Sequence, residues 1–562
     1  MTFQHRSAFS LVIALVLFAG TASAQLAVPR PPTVEPGRQD QRLRIENEMP
    51  PVGNDSIITV PNEAGKEQPL ADKVTFTLKG IVFENLSVFT EDQLRSEYES
   101  YIGKEVTLNT LREIATRITT RYRNAGYILS RAVVPPQHIK DGMVKIRIVE
   151  GYINKVLFEG APQSGLLAEY ADKIRSAKPL DAATLERYLL LMDDLPGVSA
   201  HAVLRPSQEA PGASDVVVTM TEKMINGSLT LDNRGSRYMG PIQEGATVNG
   251  NNLLGLYDRT QLHGVLTGDP KELQYGEIVH EEQLDSEGTK LALSAARTHT
   301  RPGYRLSPFD INGQDTIYSA AISHPFIRSR QTNLFGDARI DVRDTYTDSL
   351  GAKLYDDRLR VLRVGGAYDF VDSWSAVNKV QSEISKGFDW DAGAAAHSRA
   401  TGDPSFLKAT AQASRLQPIS GPFSLYVAAS GQLSANTLLA AEEFGIGGEP
   451  FGSAYDPSEI VGDSGLAGRA ELQFSRSGDL EIIPTYQFYG FYDIGKVWIR
   501  AAQAGQKSEA SLASAGLGTR FNILEPVSGE LEVALPLTRP VAAMGQHSGN
   551  DPRVFFSLAY RY

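Results

Sequence analysis

From about Met224 to the end, the chain alternates apolar and polar residues with a period of two, and this constrains its fold more than any other feature. Runs such as INGSLTLDN, KLALSAART, RLRVLRVGGAYDF and GPFSLYVAAS follow one another with Gly, Asp, Asn and Ser between them. A period of two is that of a strand with two unlike faces. One set is greasy, as in Leu362, Val364, Tyr368 and Phe370, or Phe423, Leu425 and Val427. The other holds Arg363, Asp369 and Ser424, which suit a wet interior. No uninterrupted apolar stretch after the first residues reaches about 18, so the chain offers no transmembrane helix. Any membrane-crossing structure it forms must be a closed barrel, because open strand edges are not tolerated in lipid. At roughly 21 residues per strand and connection, residues 225–562 supply about sixteen strands, an even number as bacterial barrels require.

What precedes the alternation fits export. Residues 1–24 read as a secretory signal peptide: a basic start at His5 and Arg6, an apolar run Leu11 to Gly20, and Ala22-Ser23-Ala24 before the cut. With no cysteine in 562 residues, a disulfide framework and any thiolate metal site are excluded. A net charge of −11 argues against nucleic acid as a partner. A mean hydropathy just below zero is no obstacle to a barrel, half of whose side chains meet water.

Residues 25–73 are proline-rich around a charged interval, GRQDQRLRIENEM at Gly37 to Met49. They read as linkers carrying one short polar helix, too short to persist unless housed inside something. Residues 74–151 then run strand, helix, helix, strand, strand: VTFTLKGIVFEN, EDQLRSEYESYIG, LNTLREIATRITTRYRNAG with Leu111, Ile114, Ile118 and Tyr122 at helical spacing, and two closing strands. Residues 152–224 repeat that order. Two tandem copies of one small α+β unit are the simplest account.

Two stretches of the alternating region stand out. Phe444 to Phe474 carries seven glycines and two prolines before ending in a strand-like tail at Ala470, Leu472 and Phe474. It reads as a long shaped loop, residues 444–468, feeding a sheet. The answering strand YQFYGFYDIGKVW puts Asp493 on the side opposite Tyr486, Phe488, Tyr492 and Ile494, so the carboxylate faces the lumen if that stripe faces lipid. The last ten residues place Val554, Phe556, Leu558, Tyr560 and Tyr562 on one face. Such an apolar terminal strand looks like the signal read by the barrel assembly machinery.

Taken in order, DNRGSRYMG at Asp232, FGIGGEPFGSAYDP at Phe444, GFYDIGKVW at Gly490, LASAGLGTRF at Leu512, LEVALPLTRP at Leu531 and DPRVFFSLAYRY at the end resemble the two-partner secretion transporters, the outer-membrane pores of the haemolysin and filamentous-haemagglutinin secretion type. The resemblance implies a sixteen-stranded transmembrane β-barrel, two periplasmic POTRA domains (74–151 and 152–224) and an N-terminal plug helix within 25–73. It also implies a loop and lumen anchor made of Gly447, Gly448, Phe451, Gly452, Ser453, Tyr455, Asp456 and Asp493. The family carries an arginine-glycine-aromatic triplet in this loop, whose arginine pairs with the aspartate; here Ser453, Ala454 and Tyr455 stand in its place. The expectation is that the Ser453 hydroxyl hydrogen-bonds Asp493, or that Asp493 finds Arg520 or another lumenal cation.

The implied client is a large exoprotein with an N-terminal β-helical secretion domain. Candidate contact residues in the first POTRA unit are Leu111 and Ile114 on its helix and Ile128, Arg131 and Val133 on its strand. Lipid, lipopolysaccharide and, during biogenesis, the assembly machinery are the remaining partners. Enzymatic chemistry finds no convergent nucleophile, base and acid among the nine histidines and their neighbours. GIGG at Gly445 lacks the strand, lysine and helix of a phosphate loop, so no cofactor or metal is expected. Two other readings stay open at this stage: a barrel-assembly or insertase factor, and an outer-membrane enzyme.

Overall fold

A computed structural model describes residues 30–44, 58–59, 75–210, 212–390, 396–480, 482–502, 505–523, 526–545 and 548–562. The expected signal peptide lies outside these residues, as does the end of the expected polar helix beyond residue 44. From Ile225 onward sixteen antiparallel strands close on themselves, each hydrogen-bonded to its sequence neighbours, and the first, Ile225–Asp232, pairs with the last, Arg553–Arg561. The alternation sorts as lipid and water demand. Leu362, Val364 and Tyr368 are exposed outward while Arg363 and Asp369 are buried inward. Among the described residues no helix is long and apolar enough to cross a membrane.

Two small α+β units precede the barrel. In the first, Gly80–Glu84 runs parallel to Met143–Val149, which pairs antiparallel with the edge strand Arg131–Val133. Helix Leu108–Asn124, opened by a Thr107 capping box, lays Leu111, Ile114, Ile118 and Tyr122 on this sheet. The second unit repeats the pairing with Ile153–Glu159, Ser214–Glu222 and Val198–Pro206, under helices Gly165–Ser176 and Ala182–Asp193. One expectation fails. The span 91–103 is a single helical turn, Glu91–Leu94, followed by two short 3-10 turns ending at Tyr101. The apolar positions Leu94 and Tyr98 are spaced for a helix, but Glu97 and Glu99 would load its C-terminal end with negative charge against the dipole.

The second unit is fastened to the periplasmic ends of the barrel strands. Arg328 grips Asp194 at 2.7 and 2.8 Å, and Arg330 meets Glu186 at 3.2 Å. Glu287, in the turn 284–289, accepts from Lys173 at 2.6 Å and from the Tyr188 hydroxyl at 3.0 Å. Partial burial pushes the Glu287 carboxyl up, but Lys173, Tyr188 and Arg187 together hold it below its ordinary value.

Candidate functional site: two segments inside the barrel

Among the described residues, two stretches occupy the lumen. The first is helix Pro36–Leu43, preceded by a short 3-10 turn, Pro32–Val34. Proline at its first position needs no hydrogen-bond donor there, which starts the helix cleanly. Its polar residues are buried, with Arg38 4%, Gln39 3% and Asp40 0% exposed, because the surrounding wall is polar too. Asp40 pairs with Arg343 and, at 3.0 Å, with Arg44. The Tyr355 hydroxyl donates to Glu35, and Arg42 donates to Gln243 at 2.9 Å. Apolar contact is confined to the ends, where Val34 packs with Tyr238, Met239, Leu273, Leu306 and Ile311, and Leu43 lies against Val265, Tyr275 and neighbours. Gly37 is required by a close approach, since a Cβ there would stand 2.8 Å from the Ala441 Cβ.

The second is the loop between the eleventh strand, Phe423–Ser434, and the twelfth, Ser464–Leu480. It folds inward as a short hairpin, Phe444–Ile446 against Ile460–Gly462. Its tip turns through left-handed glycines: Gly447, Gly448 and Gly452 have φ of +129°, +76° and +96°, which side chains adopt only with strain. Ser453, Ala454, Tyr455 and Asp456 are all at most 2% exposed. Ile446, Ala454, Tyr455 and Ile460 wedge among Tyr489, Phe491, Val497, Leu512 and Phe555 of the wall, with Phe451 at the margin. The Tyr455 hydroxyl donates to the Ala513 carbonyl at 3.1 Å.

At the centre sits Asp493, fully buried on the thirteenth strand, Ile483–Trp498. Its carboxylate accepts from the backbone N–H of Gly452 at 3.2 Å and of Ser453 at 3.0 Å, and from the Ser514 hydroxyl at 3.1 Å. The cation beside it is Arg469, its cross-strand neighbour in the ladder, at 3.4 Å. Of the three alternatives, a lumenal cation other than Arg520 is the one found, and the other two are corrected. Ser453 reaches Asp493 through its backbone, while its hydroxyl accepts from Arg469 at 2.8 Å. Arg520 instead binds Glu471 at 2.6 Å and Glu530 at 3.1 Å, because it faces Gln487 in the ladder, several positions from Asp493. Arg469 also donates to Glu471 at 2.7 Å and lies 4.2 Å over the Phe491 ring. Arg553 holds the Ala454 carbonyl at 2.9 Å and Asp456 at 2.8 Å. The carboxylates of Glu449, Glu530 and Glu532 converge closely enough to hold a cation, yet the Arg234 guanidinium contacts all three and supplies the positive charge.

The polarity of this anchor is the reverse of what the family resemblance implies. The tip presents carboxylates, carbonyls and a hydroxyl, and the wall presents Arg234, Arg469 and Arg553. Sequence reading missed Arg469, although Ala470, Leu472 and Phe474 facing outward imply Arg469, Glu471 and Gln473 facing inward. It also missed the segment Ala440–Glu443, which joins the two lumenal pieces. Glu442 is clasped by Arg363 at 2.7 Å and Lys408 at 2.8 Å. Glu443 takes Arg399 at 3.0 Å and the helix residue Arg38 at 3.2 Å, and the Ala441 carbonyl accepts from Gln41.

The remaining candidates fall elsewhere. Phe556, Leu558, Tyr560 and Tyr562 lie on the lipid-facing side of the last strand, with Tyr560 and Tyr562 stacked at 6.3 Å. Leu111 and Ile114 are 1% and 0% exposed; they pack the first unit's core and offer no surface to a client. Ile128 precedes the edge strand, on which Arg131 is exposed and Val133 half-buried.

Comparison with known proteins agrees with this geometry. A family model described as haemolysin secretion/activation protein ShlB/FhaC/HecB matches residues 212–521, and one described as POTRA domain, ShlB-type, matches residues 76–151. The chain is 23% identical to the heme/hemopexin transporter protein HuxB of Haemophilus influenzae (strain 86-028NP), over 97% of this chain and 98% of that one. It is 24% identical to the outer membrane transporter CdiB of Escherichia coli O6:K15:H31, over 89% of this chain and 84% of the relative. The solved structure of CdiB from Escherichia coli superposes with a TM-score of 0.71 at 21% identity, covering 90% of this chain and 93% of the other. A barrel of sixteen strands, two POTRA-like units and a lumenal helix, with a family model covering more than half its length, mark the chain as a member of the ShlB/FhaC/HecB family, the outer-membrane transporters of two-partner secretion.

Proposed function

We propose that this transporter receives one secreted exoprotein in the periplasm and passes it unfolded through the barrel, with helix Pro36–Leu43 as plug and the inward-folded loop 444–463, shorter than the expected 444–468 because the twelfth strand begins at Ser464, as a fixed lumenal fitting. The observation that carries the proposal is the occupancy of the lumen by two segments of this chain, one held by polar contacts and one by an apolar wedge. The client would carry an N-terminal β-helical secretion domain. It would first add itself as an extended strand at a POTRA sheet edge, where backbone donors and acceptors are unpaired. Arg131–Val133 is such an edge in the first unit. One relative's name specifies heme/hemopexin transport, and another's says only that it is an outer membrane transporter; the cargo of this chain would be its own exoprotein.

No nucleotide-binding motif is present to drive transport, and passage is powered by the client folding at the cell surface. The test is deletion of residues 34–50, reconstituted in planar bilayers and assayed for secretion of the cognate exoprotein. Single-channel conductance should rise severalfold. Conductance unchanged from the intact protein would refute the plug, and secretion unaffected by blocking the POTRA edge with Arg131→Pro would refute strand addition there.

A further inference from the structure

The periplasmic turn 252–258, between the second barrel strand (Gln243–Asn251) and the third (Arg259–Thr267), is built like a fixed device. Asn252 and Tyr257 take left-handed φ of +54° each, and Gly255 takes +75°. The Asn252 side chain accepts from the Tyr257 N–H at 2.9 Å, and fully buried Asp258 accepts from the Leu254 N–H at 2.9 Å. This bracing sends the side chains two ways. Tyr257, 9% exposed, packs into the core of the second POTRA unit. Leu253, Leu254 and Leu256 are turned out and are 53%, 65% and 51% exposed.

A braced turn cannot collapse to hide three leucines, and a turn that met only water would carry polar residues there. The surface is continuous with the lipid-facing belt. Leu253 lies over Gly250, which pairs with the outward-facing Ile225, 59% exposed. Met224, 59% exposed, adjoins Ile225 in the chain. The belt thus runs past the strand ends onto the turn.

We infer that turn 252–258 is a membrane-inserting anchor: Leu253, Leu254 and Leu256 enter the headgroup and acyl boundary of the periplasmic leaflet, while Tyr257 bolts the second POTRA unit to them. The occupant is phospholipid, since the patch continues a surface already in contact with it. The anchor fixes the height of the POTRA unit against the bilayer, independently of the ion pairs at Asp194 and Glu287.

The absence of native cysteine makes the test direct. Leu254→Cys carrying an environment-sensitive fluorophore is reconstituted in phosphatidylethanolamine and phosphatidylglycerol vesicles containing headgroup-region nitroxide lipid. Leu262→Cys, on the lipid face of the third strand, and Glu209→Cys, in the far loop of the second POTRA unit, serve as references. Heat-modifiable migration confirms that each barrel is folded, and Leu256→Cys repeats the measurement at a second position. Quenching at 254 should exceed that at 209 by about threefold or more and approach that at 262, as for residues seated at an interface. Equal quenching at 254 and 209, with equal access to aqueous iodide, would overturn the anchor. Shielding that arises only on adding the exoprotein would also overturn it, and would make the turn a client surface.

Discussion

The two segments inside this barrel reach nearly equal burial by opposite means. The helix is held by charge and hydrogen bonds, through Asp40, Arg38, Arg42 and Glu35, with apolar contact only at Val34 and Leu43. The loop is held by an apolar wedge centred on Tyr455 and Ile446, with Asp493 and three wall arginines beneath it. Water can replace polar contacts at small net change in free energy, since each protein hydrogen bond is worth only about 0.5–1.5 kcal/mol over its hydrated alternatives. It cannot replace an apolar wedge, where burying each large side chain contributes about 1.5–3 kcal/mol. One lumen therefore holds a piece suited to leaving and a piece suited to staying, joined at Ala440–Glu443.

The largest way to strain this contrast is Arg469→Ala. It takes from Asp493 its paired cation, while Glu471 keeps Arg520, and loss of one partner of a buried ion pair costs about 3–5 kcal/mol. The barrel should unfold at markedly lower temperature by heat-modifiable migration, and secretion should fall; an unchanged transition would show that the loop needs no cation. Ser453→Arg, which restores the family residue, should also weaken the anchor, because two guanidinium groups would then contend for Asp493. Adding Arg469→Ser to Ser453→Arg should recover most of that loss, a coupling of about 1–3 kcal/mol, and strictly additive effects in thermal unfolding would break the argument.

On the helix side the expected effects are smaller and of another kind. Arg38→Ala leaves Glu443 with Arg399, so barrel stability should change by about 1 kcal/mol or less, while channel openings in planar bilayers become more frequent. If Arg38→Ala lowered the unfolding temperature as far as Arg469→Ala does, the distinction between the two segments would be lost.

The smallest effect belongs to the water-exposed latch at Glu287, which serves as reference for both. Its folded carboxyl lies below the ordinary value, so its contribution is present above the unfolded carboxyl's titration and fades as pH falls through the lower folded value. Glu287→Gln should cost about 0.5 kcal/mol or less at neutral pH, as exposed pairs do. Spin-label distances between the second POTRA unit and the barrel should broaden slightly in the variant at pH 7 and match the intact protein in acid.

The alternation after Met224, the two repeated α+β orders and the terminal aromatic strand determine the architecture from sequence alone, because period and face are local properties that each strand carries with it. The same parity places Asp493 in the lumen and Phe488 and Tyr492 toward lipid. Local pattern could not show which cation would stand beside Asp493. That depended on ladder register, which sets Arg469 opposite Asp493 and Arg520 opposite Gln487. Nor could it show that a short polar helix meets Glu443, some 400 residues later, or that Leu111 and Ile114 close a core while Leu254 faces outward. Those outcomes belong to the closed barrel, since only closure brings distant strands to one lumen and decides which polar groups find partners there.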